Sequence, residues 1–278
     1  MRYLVLLYIR LAKRWIRWFW HAKTRYDLHP PVAYRFAEAV LEDDRQFYAY
    51  SKIETLRILL KEDKRRIEMQ DYGAGSLVNS SLERTIANIA THTPVLSSVG
   101  RQLFRIVNLY QPETVLELGG SLGISTSYLA SARRESTIYT IEGSLEVYEQ
   151  ALRNWEWLKL NNIKPANATF EEALPQILSE IERLDLLFID GDHRKGASLR
   201  YFEQCLSKTH DGSIFIIADI HWSDDMEKAW EWMKAHDAVR LSIDLFHIGV
   251  LFFNPDIKIK QDYCLVKSRW KPWRMGFW

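Results

Sequence analysis

A glycine-rich turn is the first feature of this sequence that could bind a ligand. The apolar run 115–118 leads into Gly119, Gly120 and Gly123, and a helix-like segment follows at once. Glycines let the backbone approach a ligand closely, and the first turn of a helix offers unpaired amide donors. The spacing Gly-Gly-x-x-Gly differs from the Gly-x-Gly-x-x-Gly of pyrophosphate-binding turns. The candidate contacts of this turn are Glu117, Gly119, Gly120, Ser121, Gly123 and Ser125.

An acidic residue ends the next strand-like run. Glu142 closes the segment 137–142, 19 residues beyond Gly123, where a carboxylate can accept hydrogen bonds from the hydroxyls of a ribose. Gly143 follows it and is a further candidate contact. The alternative is that Glu142 caps the next helix, although Gly143 and Ser144 could do so. Turn and acid together predict a site for a nucleoside cofactor.

Two further apolar runs end in acids and histidines. Asp190, Asp192 and His193 follow the first run, and Asp219 and His221 follow the second. Ligands of open α/β sheets bind beyond the carboxyl ends of the strands, so we expect these groups to border one crevice. Carboxylates and imidazoles there could bind a metal or move a proton. The alternative is that they cap helices and bind loop amides.

These residues are spaced by a regular alternation of strands and helices. Strand-like runs occupy 114–119, 137–142, 166–170, 185–190 and 213–219. Helical segments occupy 123–134, 145–162, 171–183, 195–209 and 224–236. This order predicts an α/β fold with a Rossmann-like, doubly wound, mostly parallel sheet. The runs 239–245 and 248–252 are joined by so short a turn that they must pair as an antiparallel C-terminal hairpin.

The chain is predicted to divide near residue 76. Residues 1–76 form an N-terminal helical segment, with helices at 1–22, 31–49 and 52–66, and residues 77–278 form the α/β domain. A helical stretch from 82 to 110, interrupted at 93–94, leads into that domain. The glycine-containing stretch 71–76 resembles a second cofactor loop, but it follows no convincing strand and is interpreted as a turn.

Composition restricts the class of protein. Of the 278 residues, 47% are hydrophobic, which is enough for a sizeable core. Beyond residue 26 the chain has 30 basic against 36 acidic residues, a net charge of −6. A nucleic-acid-binding body would be basic, so nucleic acid is excluded as a partner. Cys205 and Cys264 are the two cysteines, which fits a cytoplasmic location without a disulfide framework.

The first 26 residues have a different character. They carry seven Lys or Arg and no acid, together with Trp15, Trp18 and Trp20. The apolar run 3–9 is too short to span a bilayer. One interpretation is a helix that lies on an anionic membrane as a peripheral contact, with its indoles at headgroup depth. The other is a helix that packs on its own domain or mediates a homodimer.

The segments ELGGSLGIST, YTIEG, FIDGDH and IIADIHW resemble those of class I S-adenosylmethionine-dependent methyltransferases. The likeness covers roughly residues 95–255 and is greatest for small-molecule O-methyltransferases of the catechol and caffeoyl-CoA type. It implies the class I methyltransferase fold, S-adenosyl-L-methionine as cofactor and O-methylation of a small-molecule acceptor. Glu117, Gly119 and Gly123 match the loop at the methionine end of the cofactor, Glu142 matches the ribose acid, and Phe170 lies at the adenine edge.

The same resemblance implies a catalytic side of the crevice. Asp190 and Asp219 match acids that hold Mg²⁺ in metal-dependent members. The residue after Asp219 should be Asn or Asp, but it is Ile220. A metal site would therefore need Asp192 or His221 as a substitute ligand. His193 stands where such enzymes place a lysine that handles the acceptor's proton, and it is the candidate general base.

Two other functions stay open at this point. A nicotinamide-dependent oxidoreductase would share the α/β layout, but the glycine spacing disfavours it. A non-catalytic protein that binds S-adenosylmethionine would keep the turn and Glu142. The catalytic candidates Asp190, His193 and His221 disfavour that alternative.

Overall fold

The computed structural model describes residues 2–68, 83–93 and 95–274. The chain forms two compact units. One consists of Met1–Asp44 and Asp211–Trp278, and the other of Arg45–His210. The boundary predicted at residue 76 and the turn 71–76 lie outside the described residues, and neither compact unit begins there.

The helices of the described residues follow the predicted order closely. In chain order they are α1 (Arg2–His21), α2 (Pro31–Phe36), α3 (Tyr48–Glu62), α4 (Ile86–His92), α5 (Ser97–Tyr110), α6 (Ile124–Ala132), α7 (Leu145–Leu158), α8 (Phe170–Glu180), α9 (Lys195–Leu206) and α10 (Asp224–Ala235). A π-helical turn, Ala37–Glu42, extends α2, and 3₁₀ turns occur at Arg25–Asp27, Ser268–Trp270 and Pro272–Arg274.

The strands are likewise given in chain order. They are β1 (Arg66–Glu68), β2 (Glu83–Thr85), β3 (Thr114–Leu118), β4 (Thr137–Glu142), β5 (Ile163–Asn167), β6 (Leu186–Ile189), β7 (Ile214–Ala218), β8 (Leu241–Asp244), β9 (Ile248–Phe252) and β10 (Gln261–Cys264). The short antiparallel pair of β1 and β2 was not predicted, because its residues are mostly charged.

The unit Arg45–His210 contains the strands that carry the glycine turn. They lie in the order β6-β3-β4-β5, and each neighbouring pair is parallel. Strands β3, β4 and β6 are largely buried because both faces of the inner part of such a sheet are covered by crossover helices, whereas β5 is more exposed. All four residues of β6 are buried. Parallel pairing brings the carboxyl ends of β3, β4 and β6 to one edge of the sheet, where the predicted site residues follow.

The other unit contains the antiparallel ending that the sequence predicted. Its strands lie in the order β10-β8-β9-β7, and β9 pairs antiparallel with both β7 and β8. The pairing of β8 with β9 confirms the predicted hairpin. The sequence did not predict β10, which pairs parallel with β8. Its residues lack the apolar alternation by which a half-buried strand is identified.

One parallel strand was placed three residues too late. The run predicted at 166–170 is strand Ile163–Asn167, and Phe170 is instead the first residue of α8. The hydroxyl of Thr169 accepts a hydrogen bond from the backbone N–H of Glu172, and the Glu172 carboxylate accepts one from the Thr169 N–H. This reciprocal pair is a capping box, which fixes the start of α8 at Phe170.

Candidate active site

The turn after β3 adopts the conformation that its glycines predicted. Gly119 and Gly123 have φ of 98° and 79°, and Ser121 is also left-handed at 45°. The backbone N–H groups of Gly119 and Gly120 both donate to the carbonyl oxygen of Ile141, at 3.1 and 3.2 Å. The turn is thereby tied to β4, and α6 begins immediately after Gly123.

Contacts within the protein leave no room for a side chain at these glycines. A Cβ atom on Gly119 would lie 2.4 Å from the backbone oxygen of Asp190, and one on Gly123 would lie 2.3 Å from Nε1 of Trp155. A Cβ atom on Gly120 would lie 2.5 Å from the hydroxyl oxygen of Thr140. These packing contacts require glycine on their own, and the close approach of a ligand to the turn stays a prediction. They allow close packing of the turn against β4, α7 and the segment after β6.

Glu117 supports the turn from inside the core. Its side chain is fully buried, and its Oε2 accepts hydrogen bonds from the hydroxyls of Thr126 and Thr140. Burial raises the pKa of Glu117, and the hydrogen bonds from Thr126, Ser125 and Thr140 only partly oppose that rise. A buried acid with a raised pKa holds the start of α6 beneath the turn. A direct contact of Glu117 with a cofactor stays a prediction.

Glu142 stands beside the turn at the end of β4. Its Oε2 accepts a hydrogen bond from the backbone N–H of Ser121 at 2.9 Å, and its Oε1 accepts one from the N–H of Ser144 at 2.9 Å. The carboxylate thus contacts both the glycine turn and the residue that precedes α7. Both sequence interpretations of Glu142, as a site acid and as support for the following helix, agree with this geometry. Gly143 is held through its carbonyl oxygen by the Asn167 amide.

A small cleft opens at the glycine turn. Its lining residues are Thr93, Gly119, Gly120, Ser121, Leu122, Ile124, Ser125 and Asp190. Five of the predicted cofactor residues therefore border one cleft. Thr93, which precedes α5, had no motif from which its position could be predicted.

The segment after β6 contributes to the same edge. The backbone N–H of Asp190 donates to the carbonyl oxygen of Leu118 at 2.9 Å. The ring of Phe170 covers Gly191 so closely that a Cβ there would lie 2.7 Å from Cζ of the phenylalanine. Phe170 also meets Tyr201 edge-on, with ring centroids 5.4 Å apart. An aromatic ring thus lies directly over Gly191, and its contact with adenine stays a prediction.

Asp190 and His193 lie together, as the sequence predicted. Both are partly buried, and a carboxylate oxygen of Asp190 and a ring nitrogen of His193 lie within 4.8 Å of each other. Asp192 has a different environment. Its buried carboxylate receives two hydrogen bonds from the Arg194 guanidinium, at 2.5 and 2.6 Å. Because Arg194 donates to both of its oxygens, Asp192 is a less favourable substitute for the missing metal ligand, and that role stays a prediction.

The segment after β7 belongs to the other compact unit. Asp219 has a φ of 54°, and its backbone N–H donates to the carbonyl oxygen of His247 at 2.7 Å. Ile220 is fully buried, so its side chain contributes to the core and offers nothing to a metal. The metal role predicted for Asp219 stays a prediction.

His221 is held by carboxylates on both sides. Its Nδ1 lies 2.9 Å from Glu227 Oε1, and its Nε2 lies 2.8 Å from Asp244 Oδ2. The ring stacks on Phe246 at 5.2 Å between centroids. Burial alone would lower the pKa of His221, but hydrogen bonds and charges from Asp244 and Glu227 outweigh it and raise the pKa. Both ring nitrogens are paired with carboxylates, so a proton or a metal could reach His221 only by displacing one of these bonds. The pairings disfavour the catalytic and substitute-ligand roles of His221, which stay predictions.

Arg14 on α1 is a buried residue that the sequence analysis missed. Its guanidinium donates to the backbone oxygens of His221 and Trp222, and it forms ion pairs with Asp224 and Glu227. Seven cations occupy the first 26 residues. No local pattern distinguishes Arg14 from the exposed ones, because its partners lie more than two hundred residues away.

Comparison with known proteins gives this geometry a context. Residues 116–220 match a family model described as a methyltransferase domain. An O-methyltransferase from Bacillus cereus, solved in complex with S-adenosylhomocysteine, is 20% identical, with 75% of this chain and 92% of that chain covered and a TM-score of 0.54.

Two other solved structures are similar over a larger share of the chain. A methyltransferase from Podospora anserina, solved with S-adenosylhomocysteine bound, is 12% identical. The match covers 82% of this chain and 97% of that chain, with a TM-score of 0.57. An O-methyltransferase from Streptomyces achromogenes in complex with S-adenosylmethionine is 14% identical, with coverages of 80% and 96% and a TM-score of 0.54. These comparisons do not support the nicotinamide oxidoreductase alternative.

Proposed function

We propose that this protein transfers a methyl group from S-adenosylmethionine to a hydroxyl oxygen of a small molecule, because residues 116–220 match a methyltransferase-domain model and the fold is similar to that of solved methyltransferases. The observation that carries this proposal is the position of Glu142. Its carboxylate stands at the end of β4 and bonds the backbone of the glycine turn at the end of β3. In doubly wound sheets this is where a nucleoside is held.

The residues around the cleft fit the proposed cofactor. Glu142 would accept hydrogen bonds from the ribose, and Gly119, Gly120 and Ser121 would border the methionine end through their backbone. Phe170 offers an aromatic face for the adenine, and Asp190 lines the cleft between them. When bound, S-adenosylmethionine supplies an electrophilic methyl group on a sulfonium. The protein's contribution is to hold an acceptor oxygen in line with that methyl group, at near-attack distance.

The acceptor's proton must also leave. We propose His193 as the general base, because its imidazole lies beside Asp190 at the edge of the cleft. A neutral imidazole accepts protons near neutral pH, and a neighbouring carboxylate stabilises the charge that results. A metal-assisted route through Asp190 and Asp219 is the alternative. The fully buried Ile220 and the arginine-bound Asp192 make that route less favourable.

Binding and transfer can be tested separately. Calorimetry should show that the full chain binds S-adenosylhomocysteine and binds NAD⁺ far more weakly. Glu142→Gln should weaken the binding of S-adenosylhomocysteine by roughly tenfold or more, because charge-assisted hydrogen bonds to a ligand contribute about 1.5–3 kcal/mol. The matched control is Glu149→Gln on the exposed surface of α7, which should leave the affinity unchanged. Tighter binding of NAD⁺ than of S-adenosylhomocysteine would contradict the proposal.

Transfer itself requires a screen of hydroxylated small molecules with S-adenosylmethionine labelled in its methyl group. Label recovered in a product ether supports O-methylation, whereas label on a nitrogen or carbon atom would contradict the choice of acceptor atom. A cytoplasmic location and a homodimer remain predictions from the sequence.

A further inference from the structure

One face of α1 presents large apolar side chains to solvent. Tyr8 is 67% exposed, Ile16 59% and Trp20 77%, and Ile9 and Trp15 are also exposed. At 3.6 residues per turn, these five side chains fall within an arc of roughly 140° on one side of the helix. We call these five residues the α1 apolar face. Scattered exposed hydrophobics are ordinary on a protein surface, but a contiguous group on one helix marks an interaction site.

The opposite face of α1 is already occupied. Arg14, Trp18 and Ala22 are buried against residues of the same compact unit, where the Trp18 ring packs on Phe246. The ammonium of Lys271 donates to the backbone oxygens of Trp20 and Ala22 and so satisfies the carboxyl end of the helix. The helix is therefore anchored in place along one side. Its apolar face is preformed and loses little conformational entropy when it meets a partner.

Positive charge borders the α1 apolar face. The exposed cations next to this face are Arg10, Lys13 and Arg17. They lie on the side of the face away from Tyr8 and Trp15. Residues 1–26 contain no acidic residue. Long basic side chains can extend away from an apolar surface to reach anionic groups while their methylene chains cover it. The chemistry presented is thus aromatic and aliphatic area with cations along one border.

This combination fits a lipid surface better than a second copy of the chain. In a symmetric dimer the same patch would face itself, and if the two helices paired antiparallel, Arg10, Lys13 and Arg17 would lie beside their own copies. An anionic bilayer offers an apolar layer and, directly above it, a layer of negative headgroups. Tryptophan and tyrosine rings are enriched at that boundary. No helix in the described residues is long and apolar enough to cross a membrane.

We propose that α1 attaches this protein reversibly to anionic membrane surfaces, with the helix lying in the plane of the interface. The α1 apolar face enters the acyl boundary and the basic border contacts the headgroups. Attachment does not depend on the proposed enzymatic activity, because the residues involved are distinct from those of the cleft.

The test is co-sedimentation of the full chain with sucrose-loaded vesicles at low salt. One set consists of phosphatidylcholine, and the other of phosphatidylcholine mixed with phosphatidylglycerol. We expect binding to the anionic vesicles that weakens as salt screens the headgroups. Arg10→Gln/Lys13→Gln should reduce the partition coefficient by roughly ten- to thirtyfold, since each cation near the surface contributes about 1 kcal/mol. Ile16→Ser/Trp20→Ser should reduce it by roughly tenfold or more.

Matched controls use exposed residues on other helices. Lys52→Gln/Lys61→Gln on α3 removes the same charge, and Ile58→Ser/Trp157→Ser removes comparable apolar area. Both should bind as the wild type does, and circular dichroism should show that all four variants are folded. Equal losses in the control variants would overturn the proposal, as would wild-type protein that ignores anionic vesicles. A dimer that dissociates in Ile16→Ser/Trp20→Ser, without vesicle binding by the wild type, would show instead that the face is a subunit interface.

Discussion

Arg14 donates hydrogen bonds to the backbone oxygens of His221 and Trp222, at 3.2 and 3.1 Å, across a sequence separation of more than two hundred residues. The N-terminal helix is thereby fastened to the segment that follows β7. Trp222 in turn donates its backbone N–H to the carbonyl oxygen of Asp219. The N-terminal helix thus helps to fix the position of Asp219.

Replacing Arg14 should destabilise this unit considerably. Arg14→Ala removes the guanidinium that donates to two carbonyl oxygens and is one of the cations beside Glu227, and breaking a buried charged pair costs about 3–5 kcal/mol. Arg14→Lys should not restore the stability, because an ammonium cannot reach four acceptors in the fixed geometry of a guanidinium. Urea unfolding of the full chain measures the change.

Arg17 provides the comparison for that experiment. Its side chain is 66% exposed and lies 3.7 Å from Glu227, so Arg17→Ala should change stability by about 0.5 kcal/mol or less. Equal effects of Arg14→Ala and Arg17→Ala would contradict the role assigned to the buried guanidinium.

His221 should make stability dependent on pH. Its pKa is raised in the folded protein by Asp244 and Glu227, above the ordinary histidine value of about 6.5. The folded state therefore binds a proton more tightly than the unfolded state. The stabilisation is fully present below about pH 6.5 and is lost as the pH rises through the raised pKa.

The variant that tests this is His221→Gln. Its loss of stability relative to the wild type should be greatest between about pH 5 and 6.5 and should shrink at higher pH. Denaturant unfolding at a series of pH values gives the difference directly. A loss that grows as the pH rises would mean that the neutral imidazole is the stabilising form.

Gly119 should be required for folding before it is required for binding. Gly119→Ala places a side chain on a residue with φ of 98° and brings its Cβ to 2.4 Å from the Asp190 backbone. Strain and overpacking together should cost about 2–5 kcal/mol. Gly196→Ala in α9 is the control, because the nearest atom to its Cβ would be 3.8 Å away. A Gly119→Ala protein of unchanged stability that cannot bind S-adenosylhomocysteine would show that a ligand sets the requirement.

The sequence predicted the elements that continuous apolar runs define. Strand β4 was placed at its observed bounds, and β7 to within one residue at each end, because glycine, aspartate or polar residues close these runs. The start of α8 was predicted to within one residue, but β5 was placed three residues late because Phe170 prolongs an apolar segment that the Thr169 capping box ends. Strand β10 was missed because its residues are largely polar.

Partners distant in sequence explain why the surroundings of His221 were not predicted. His221 follows β7 in the way that a catalytic histidine would, and its neighbours in the chain are compatible with that role. Asp244 lies on β8 and Glu227 on α10, and their approach to the imidazole depends on the tertiary structure. The surroundings of Asp192 were not predicted for a different reason. Its partner, Arg194, is only two residues away, but the spacing does not reveal that the side chains pair.

The remaining prediction concerns how the acceptor loses its proton. Replacing His193 and adding a chelator distinguish a histidine base from a metal-assisted route. If His193 is the general base, His193→Ala should lower kcat by about 10²–10⁴-fold and leave the affinity for S-adenosylhomocysteine unchanged. Added imidazole should restore part of the activity, which a merely structural defect would not allow. His210→Ala serves as a control histidine, since its ring pairs with Asp185.

The effect of EDTA separates this route from a metal-assisted one. Mg²⁺ requires several oxygen ligands in near-octahedral geometry. Ile220 offers none, and Asp192 and His221 are bound to side chains of the protein. Activity should therefore survive EDTA. Complete loss with EDTA, reversed by Mg²⁺ or Mn²⁺, would favour the metal route predicted from Asp190 and Asp219. Asp190→Asn should be damaging under either mechanism, because Asp190 borders the cleft and lies beside His193. The decision therefore rests on imidazole rescue and chelation together, since each mechanism predicts the opposite pair of results.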